Sequence, residues 1–354
     1  MTRQWFLPGL MVVFALISLL TLKSVAPSLV NRQLLYFIVG AGIFIGTSKI
    51  SFIRWVQFSP AFYALLIGFL LLTKVIGTVT RGTISWIPLG SFHIQPSQMA
   101  VPIVALLVSR MIIRKPLHSV GRILQVGVCV AVPALLIFLE PDLGTAAIYA
   151  VSLAIAFWFG ETPLKFIGMG VFLAVVLAIF SWNFVLQPYQ KQRILGFMDL
   201  QEQGSGQYNA IQSMIAVGSG EVFGRGLGEG VQSHLRFLPE RQTDFIFASF
   251  AEETGFIGAS LVLLLYLTLI CFLLWLSWSS VRWSEALFAA VTAMMITTQA
   301  GIHLGMNMGI LPITGITLPF ISYGGSSILA FSFQFGVIQS FLQSWRPKAA
   351  LEIK

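Results

Sequence analysis

The residues best able to do chemistry in this chain are its carboxylates, and they are few: 13 Asp and Glu among 354 residues. Asp244 lies in TDFIFASFAEETGFIG (243–258), at the mouth of an apolar run. Its FIF surroundings would tend to raise its pKa by desolvation. A helix cap is one reading. An ionisable side chain at such a depth is by default a functional candidate. Glu252 and Glu253 follow two to three turns later, deeper than a loop residue should be. EPDLGT (140–145) sets Glu140 and Asp142 two residues apart at a helix start. Pro141 fits a first helical turn, and acids there complement the helix dipole, so capping and the binding of a cation or sugar hydroxyl both stay open. GSGEVFGRGLGEG (218–230), with Arg225, either lets backbone N–H groups approach an anion or only makes tight turns. LPITGITLPFISYGGSS (311–327) is irregular backbone that lines a cavity or serves as a hinge. His93, His118, His234 and His303 lack metal-ligand spacing, and Cys129 and Cys271 lie in apolar runs as small core residues.

The elements that must hold these groups are membrane helices. The chain is 56% hydrophobic and 10% charged, against about 25% charged in soluble domains. That excludes a disordered chain, a disulfide-stapled secreted domain and a water-soluble enzyme. Apolar runs at about 6–22, 34–48, 60–73, 99–113, 122–138, 145–159, 166–186, 252–277, 286–305 and 324–343 predict an all-α polytopic membrane protein. They form one membrane domain, 1–354, of about ten transmembrane helices. The first run has no A-x-A-like site after it and reads as a retained helix. The segment 187–243 is the one large extramembrane loop and is too glycine-rich for a core of its own. Within it NAIQSMIAV can form a short amphipathic helix, and FLPE reads as an apolar anchor and a turn.

Charge sorts by membrane side. With the N-terminus inside, 12 of the 21 basic residues fall in inner segments, among them the basic stretch RMIIRKPLHSVGR (110–122). The positive-inside rule then places both termini in the cytoplasm. The basic stretch suits anionic membrane lipids, and no nucleic-acid partner is expected from the net charge of +8. Ten of the 13 acids fall at the outer face, which suggests that the work is done there.

Together WIPLGSFHIQPSQ (86–98), EPDLGTA (140–146), YQKQRI (189–194), QYNAIQSMIAVGSG (207–220), the 224–258 segment and GILPITGITLPFISYGGSS (309–327) resemble the SEDS family (shape, elongation, division and sporulation), which includes RodA and FtsW. The resemblance implies a ten-helix bacterial inner-membrane glycosyltransferase that polymerises lipid II into peptidoglycan outside the cytoplasmic membrane. It implies a class B penicillin-binding protein, a transpeptidase, as partner. It also implies an α-linked pyrophosphate donor and a β-1,4 product, hence one inverting displacement. Asp244 matches the family's essential Asp and takes the role of general base. Lys191 and Arg193 become candidates for the pyrophosphate, with Arg193 able to offer a bidentate fork. Gln190, Gln212, Ser213, Gln232, Ser322 and Tyr323 become candidate substrate contacts, together with Glu140 and Asp142. A divalent cation such as Mg is an open possibility, with Glu140, Asp142 or the lipid phosphates as ligands.

Two departures stand out. The family's QPSE, followed three residues later by Lys, is here Gln98 and Val101, so both members of an i, i+3 pair are absent. The usual Arg before Trp86 is Ser85, with Arg81 four residues earlier. They motivate one other reading beside the enzyme, a catalytically weakened cell-wall scaffold; a flippase for the lipid-linked precursor is a further alternative. A flippase should line its path with polar groups through the inner half of the membrane, whereas the intramembrane charge here is confined to the outer end.

Overall fold

The computed structural model describes residues 2–80, 83–89, 92–114, 117–188, 190, 191, 195, 197, 205–235 and 237–343. Helices α1 (Phe6–Val25), α2 (Val30–Ser48) and α3 (Phe52–Ile76) are followed by three strands and then by α4 (Ala100–Arg114), α5 (Val120–Phe138), α6 (Leu143–Phe159) and α7 (Leu164–Phe184). Beyond these lie α8 (Ser205–Ser219), α9 (Val231–His234), α10 (Ile246–Ser279), α11 (Trp283–Asn307) and α12 (Gly325–Leu342). Eight of the helices, α1–α3, α5, α7 and α10–α12, are long and apolar enough to cross a membrane. Two shorter apolar segments, Pro96–Ile112 and Leu143–Phe159, hold α4 and α6. Helices are what such apolar runs must form, because lipid offers no partner to an unpaired backbone group.

The centre of the bundle is α11 and α12, both mostly buried, whereas no residue of α7 is buried. Small residues bring α2 against α12: a Cβ at Gly40 would lie 2.7 Å from Ser332 Oγ, and one at Gly325 would lie 2.7 Å from the Tyr36 ring. Close approach through small residues substitutes for a hydrophobic drive that lipid does not supply.

The sequence reading placed no strand in this chain, yet β1 (Thr78–Thr80), β2 (Thr83–Leu89) and β3 (Phe92–Ile94) form an antiparallel sheet between α3 and α4. Its register pairs Thr78 with Trp86 and Ile87 with Ile94. These stretches are rich in Thr, Ile, Trp and Phe, which suit strands, but each is too short to show alternation between two apolar spans.

The expected helix at 252–277 begins six residues earlier, at Ile246, and is broken at Gly255, whose φ of 67° and ψ of −165° are not helical. The break explains the early start. The stretch 256–279 is about 36 Å long at 1.5 Å per residue and spans a hydrocarbon core of about 30 Å by itself. The segment before the break is therefore a separate half-helix at the membrane's edge. Its freed hydrogen bonds are satisfied by the glycine loop. Phe256 N–H donates to Glu221 O (2.8 Å) and Ile257 N–H to Val222 O (3.2 Å), while Arg225 and Gly226 N–H donate to the Glu252 and Glu253 carbonyls (2.9 and 3.1 Å). Loop and half-helix touch backbone to backbone, so a Cβ at Gly255 would collide with Gly224 and Val222. Gly255→Ala is thus expected to destabilise the protein by about 3 kcal/mol or more, read as a lower thermal midpoint in detergent.

Candidate active site

Asp244 is positioned by a turn. Glu240 adopts φ 53°, and its carbonyl accepts N–H bonds from Thr243 and Asp244 at 3.0 Å and from Phe245 at 3.3 Å. The Asp244 side chain is 8% exposed, and Oδ2 lies 3.5 Å from where a Cβ would stand on Gly315. Gly315 is itself exposed and at φ 73°, a backbone conformation that favours glycine, so the loop passes close beside the carboxylate at this point.

The 308–324 loop is built around this point. Ser322 Oγ donates to Thr243 O (2.7 Å) and accepts from Leu318 N–H (2.8 Å), and Tyr323 N–H donates to Gln242 O (2.9 Å). Ser18 Oγ donates to Ile321 O (2.8 Å), and Gln33 Nε2 to Ser322 O (3.2 Å). Phe320, buried at φ 61°, is held in that strained conformation among Phe14, Phe331 and Phe335, with ring centroids 5.2–6.1 Å away. The loop is a fixed wall.

On its other side the same loop meets the 140–145 turn. A Cβ on Gly144 would touch Ile316 Cγ2 (2.5 Å) and Thr314 O (3.3 Å). Asp142 caps α6: Oδ1 accepts from Thr145 N–H (2.9 Å), and Oδ2 accepts from Thr145 Oγ1 (2.7 Å) and Gln95 Nε2 (3.0 Å). Gln98 Nε2 in turn donates to Gln95 Oε1 (3.2 Å). A neutral amide chain therefore leads from Gln98 through Gln95 to Asp142, and Val101 is packed in the apolar core at 3% exposure. Ser85 is likewise buried; Arg81 lies outside the described residues.

Glu140 is fully buried between α5 and α6 and accepts from Thr73 Oγ1 (2.6 Å), while its other oxygen has no partner. Burial pushes its pKa up to about 7, against the opposing pull of the Thr73 hydrogen bond and nearby Lys74. The folded chain thus holds this proton more tightly than the unfolded one. Stability contributed by the neutral form is complete below about pH 4.5, declines as pH rises towards 7 and is lost above it. Glu140→Gln should accordingly stabilise the protein at pH 8 by at most about 3 kcal/mol and make no difference at pH 4.5. Thermal midpoints at the two pH values check this.

Backbone N–H groups of the glycine loop and of the following α9 do cradle anions, and the anions belong to the chain. Glu252, 1% exposed, accepts from Gln232 N–H (2.8 Å), Ser233 N–H (3.0 Å) and Ser233 Oγ (2.6 Å). Glu253, 2% exposed, accepts from Gly228 N–H (3.2 Å) and from Ser24 Oγ, with His234 Nε2 at 3.3 Å. These two acids organise the loop rather than open towards solvent.

The other candidates fall into three groups. Ser213 and Ser322 are buried and committed to backbone carbonyls, Ser213 to Asn307 O at 2.9 Å. Gln190 approaches the acidic turn, with Nε2 donating to Pro141 O (3.3 Å), and Lys191 beside it is half-buried. Gln212 and Tyr323 are half-buried, and Gln232 has an enclosed side-chain oxygen without a partner. Arg193 lies outside the described residues. Contacts thus run from Asp244 through Gly315 and Gly144 to Asp142, and on through Pro141 to Gln190. Sequence reasoning missed Gln95, Ser326 and Asn307. Ser326 Oγ accepts from Gln95 N–H (3.0 Å) and donates to His93 O (3.1 Å). The spacing His303–Asn307, one helical turn, carried a signal that a search for metal ligands alone passes over. Among the described residues no three His, Cys, Asp or Glu form a group able to hold a metal. Both Asp142 oxygens already have donors, so these residues do not build a resident cation site.

The chain matches the FtsW/RodA/SpoVE family, described as "Cell cycle protein", over residues 1–346. The peptidoglycan glycosyltransferase MrdB of Escherichia coli K12 is 35% identical over 288 residues, which is 80% of this chain and 77% of the relative. The probable peptidoglycan glycosyltransferase FtsW of Pseudoalteromonas translucida is 32% identical over 319 residues, 86% of this chain and 79% of that one. Among solved structures, a chain from one described as "Structural coordination of polymerization and crosslinking by a peptidoglycan synthase complex" superposes with a TM-score of 0.83 at 27% identity, covering 96% of this chain and 97% of that one. The rod shape determining protein RodA of Thermus thermophilus gives 0.73 at 25% identity, covering 96% of each chain. This multi-pass membrane protein belongs to the FtsW/RodA/SpoVE family.

Proposed function

We propose that the protein is a peptidoglycan glycosyltransferase that polymerises lipid II at the outer face of the bacterial cytoplasmic membrane, with Asp244 as its general base. One observation carries the reading: a buried carboxylate just ahead of the first turn of a broken spanning helix, held by a turn and packed beside Gly315. The names of the E. coli and P. translucida relatives support the same activity.

The chemistry needs one base. The acceptor's 4-hydroxyl attacks the donor's anomeric carbon, the C–O bond to pyrophosphate breaks, and the hydroxyl proton passes to the Asp244 carboxylate. In-line attack turns an α linkage into a β linkage. Pyrophosphate leaves as a stabilised anion and needs counter-charge more than a protonating acid, so the paired carboxylates of glycosidases are unnecessary. Lys191, next to the Gln190–Pro141 contact, supplies that charge together with Arg193. Asp142 and its glutamine chain orient the wall opposite Asp244.

Both termini are placed in the cytoplasm by the basic inner segments. A class B penicillin-binding protein is the proposed partner, in keeping with the synthase complex to which the fold is similar. The test is purified protein, alone and with that partner, supplied with labelled lipid II: glycan polymer is expected. Its absence in both arms would leave a scaffold or a flippase.

A further inference from the structure

Helix α11 carries three amide or imidazole side chains one turn apart, Gln299, His303 and Asn307, and all three are buried. A spacing of four places them on one stripe of the helix. Gln299 Nε2 donates to Thr317 O (2.8 Å), and His303 Nδ1 bonds Ile316 O (2.8 Å). These two fix the loop segment next to Gly315.

Asn307, fully enclosed, serves the other side. Its Nδ2 donates to the Asp244 carbonyl (3.0 Å) and to His303 O (2.8 Å), and its Oδ1 accepts from Ala248 N–H (3.1 Å). Its own carbonyl accepts from Ser213 Oγ on α8 (2.9 Å). One side chain thus bonds the backbone of Asp244 and the first turn of the half-helix behind it, on a rail that also sets the loop facing the carboxylate. The glycine loop holds this half-helix at its Gly255 end, and Asn307 fixes the end next to Asp244. Asparagine suits the post because it offers donor and acceptor together.

We propose that Asn307 is a positioning residue for the reaction, holding Asp244 at its working distance from the acceptor hydroxyl without touching substrate. The inference rests on Asp244 being the base. A displacement of about 1 Å in a reacting group can cost about 10²-fold in rate.

The experiment measures polymerisation rate against lipid II concentration, together with lipid II binding stoichiometry, for the native protein and for Asn307→Asp, Asn307→Ala and Asp244→Ala. Asn307→Asp is nearly isosteric and keeps an acceptor for Ala248, but it points an acceptor at the Asp244 carbonyl. It should lower kcat by about 10²-fold, with KM within about two-fold and full binding stoichiometry. Asn307→Ala should behave alike. Should it fail to fold, the Asp variant still decides. Native kcat in the Asp variant overturns the proposal. So does a fall in kcat matched by an equal fall in stoichiometry, since a merely structural residue would give that result. Polymer from Asp244→Ala would instead remove the base itself, and with it the reading on which this inference stands.

Discussion

Asp244→Asn is expected to lower the rate of glycan polymerisation by about 10²–10⁴-fold, the usual contribution of a general base. Binding of lipid II should stay within about two-fold of native. The amide has the carboxylate's shape, and the backbone of the residue is held by the Glu240 carbonyl on its N–H and by Asn307 on its C=O. The fold around it should therefore survive. What the substitution removes is a place for the proton of the acceptor hydroxyl. Equilibrium binding and initial rates on the same preparation separate the two effects. A loss of binding as large as the loss of rate would mean that Asp244 holds substrate and does not act as base.

Glu252→Ala should be the most damaging change away from the reacting carboxylate. It strips the acceptor from three donors, Gln232 N–H, Ser233 N–H and Ser233 Oγ–H, at a position that is 1% exposed. Each buried donor left unpaired costs about 1–3 kcal/mol, so about 4 kcal/mol in all is expected. The damage should reach the site by a short path. Arg241 Nη1 donates to Ser233 O (2.5 Å) and Arg241 Nε to Val25 O (2.9 Å), tying α9 and the end of α1 to the turn that carries Asp244. Faster proteolysis within 218–235 and a loss of polymerising activity are the expected readouts. An unchanged cleavage rate would mean that the loop is held by something other than Glu252.

Much of this site was legible in the sequence, and its limits were physical. Apolar runs mark spans because lipid enforces helices, but the half-helix before Gly255 could not be told from a loop: it is short, and its partner is a glycine segment far back in the chain. Glu252 and Glu253 showed as acids placed too deep. That their counter-groups are N–H groups of Gly228, Gln232 and Ser233 and the side chains of Ser24, Ser233 and His234 is a tertiary fact that no spacing encodes. Ser213 and Ser322 were read as substrate contacts because hydroxyls near a site look alike in a sequence, whereas the fold commits both to carbonyls. Asn307 was passed over for the opposite reason, since an amide in an apolar helix looks like an ordinary buried polar group unless its i, i+4 spacing with Gln299 and His303 is noticed. Gln98 and Val101 showed the loss of a charge pair, and only the fold revealed the amide chain from Gln98 through Gln95 to Asp142 that stands in its place.

The most direct test is the product formed from labelled lipid II by the native protein with the proposed transpeptidase partner, with Asp244→Ala run beside it. The account predicts a β-linked glycan polymer from the native chain, cut by a muramidase, and none from the variant. A native chain that makes no polymer, or a variant that makes as much as the native, would contradict it.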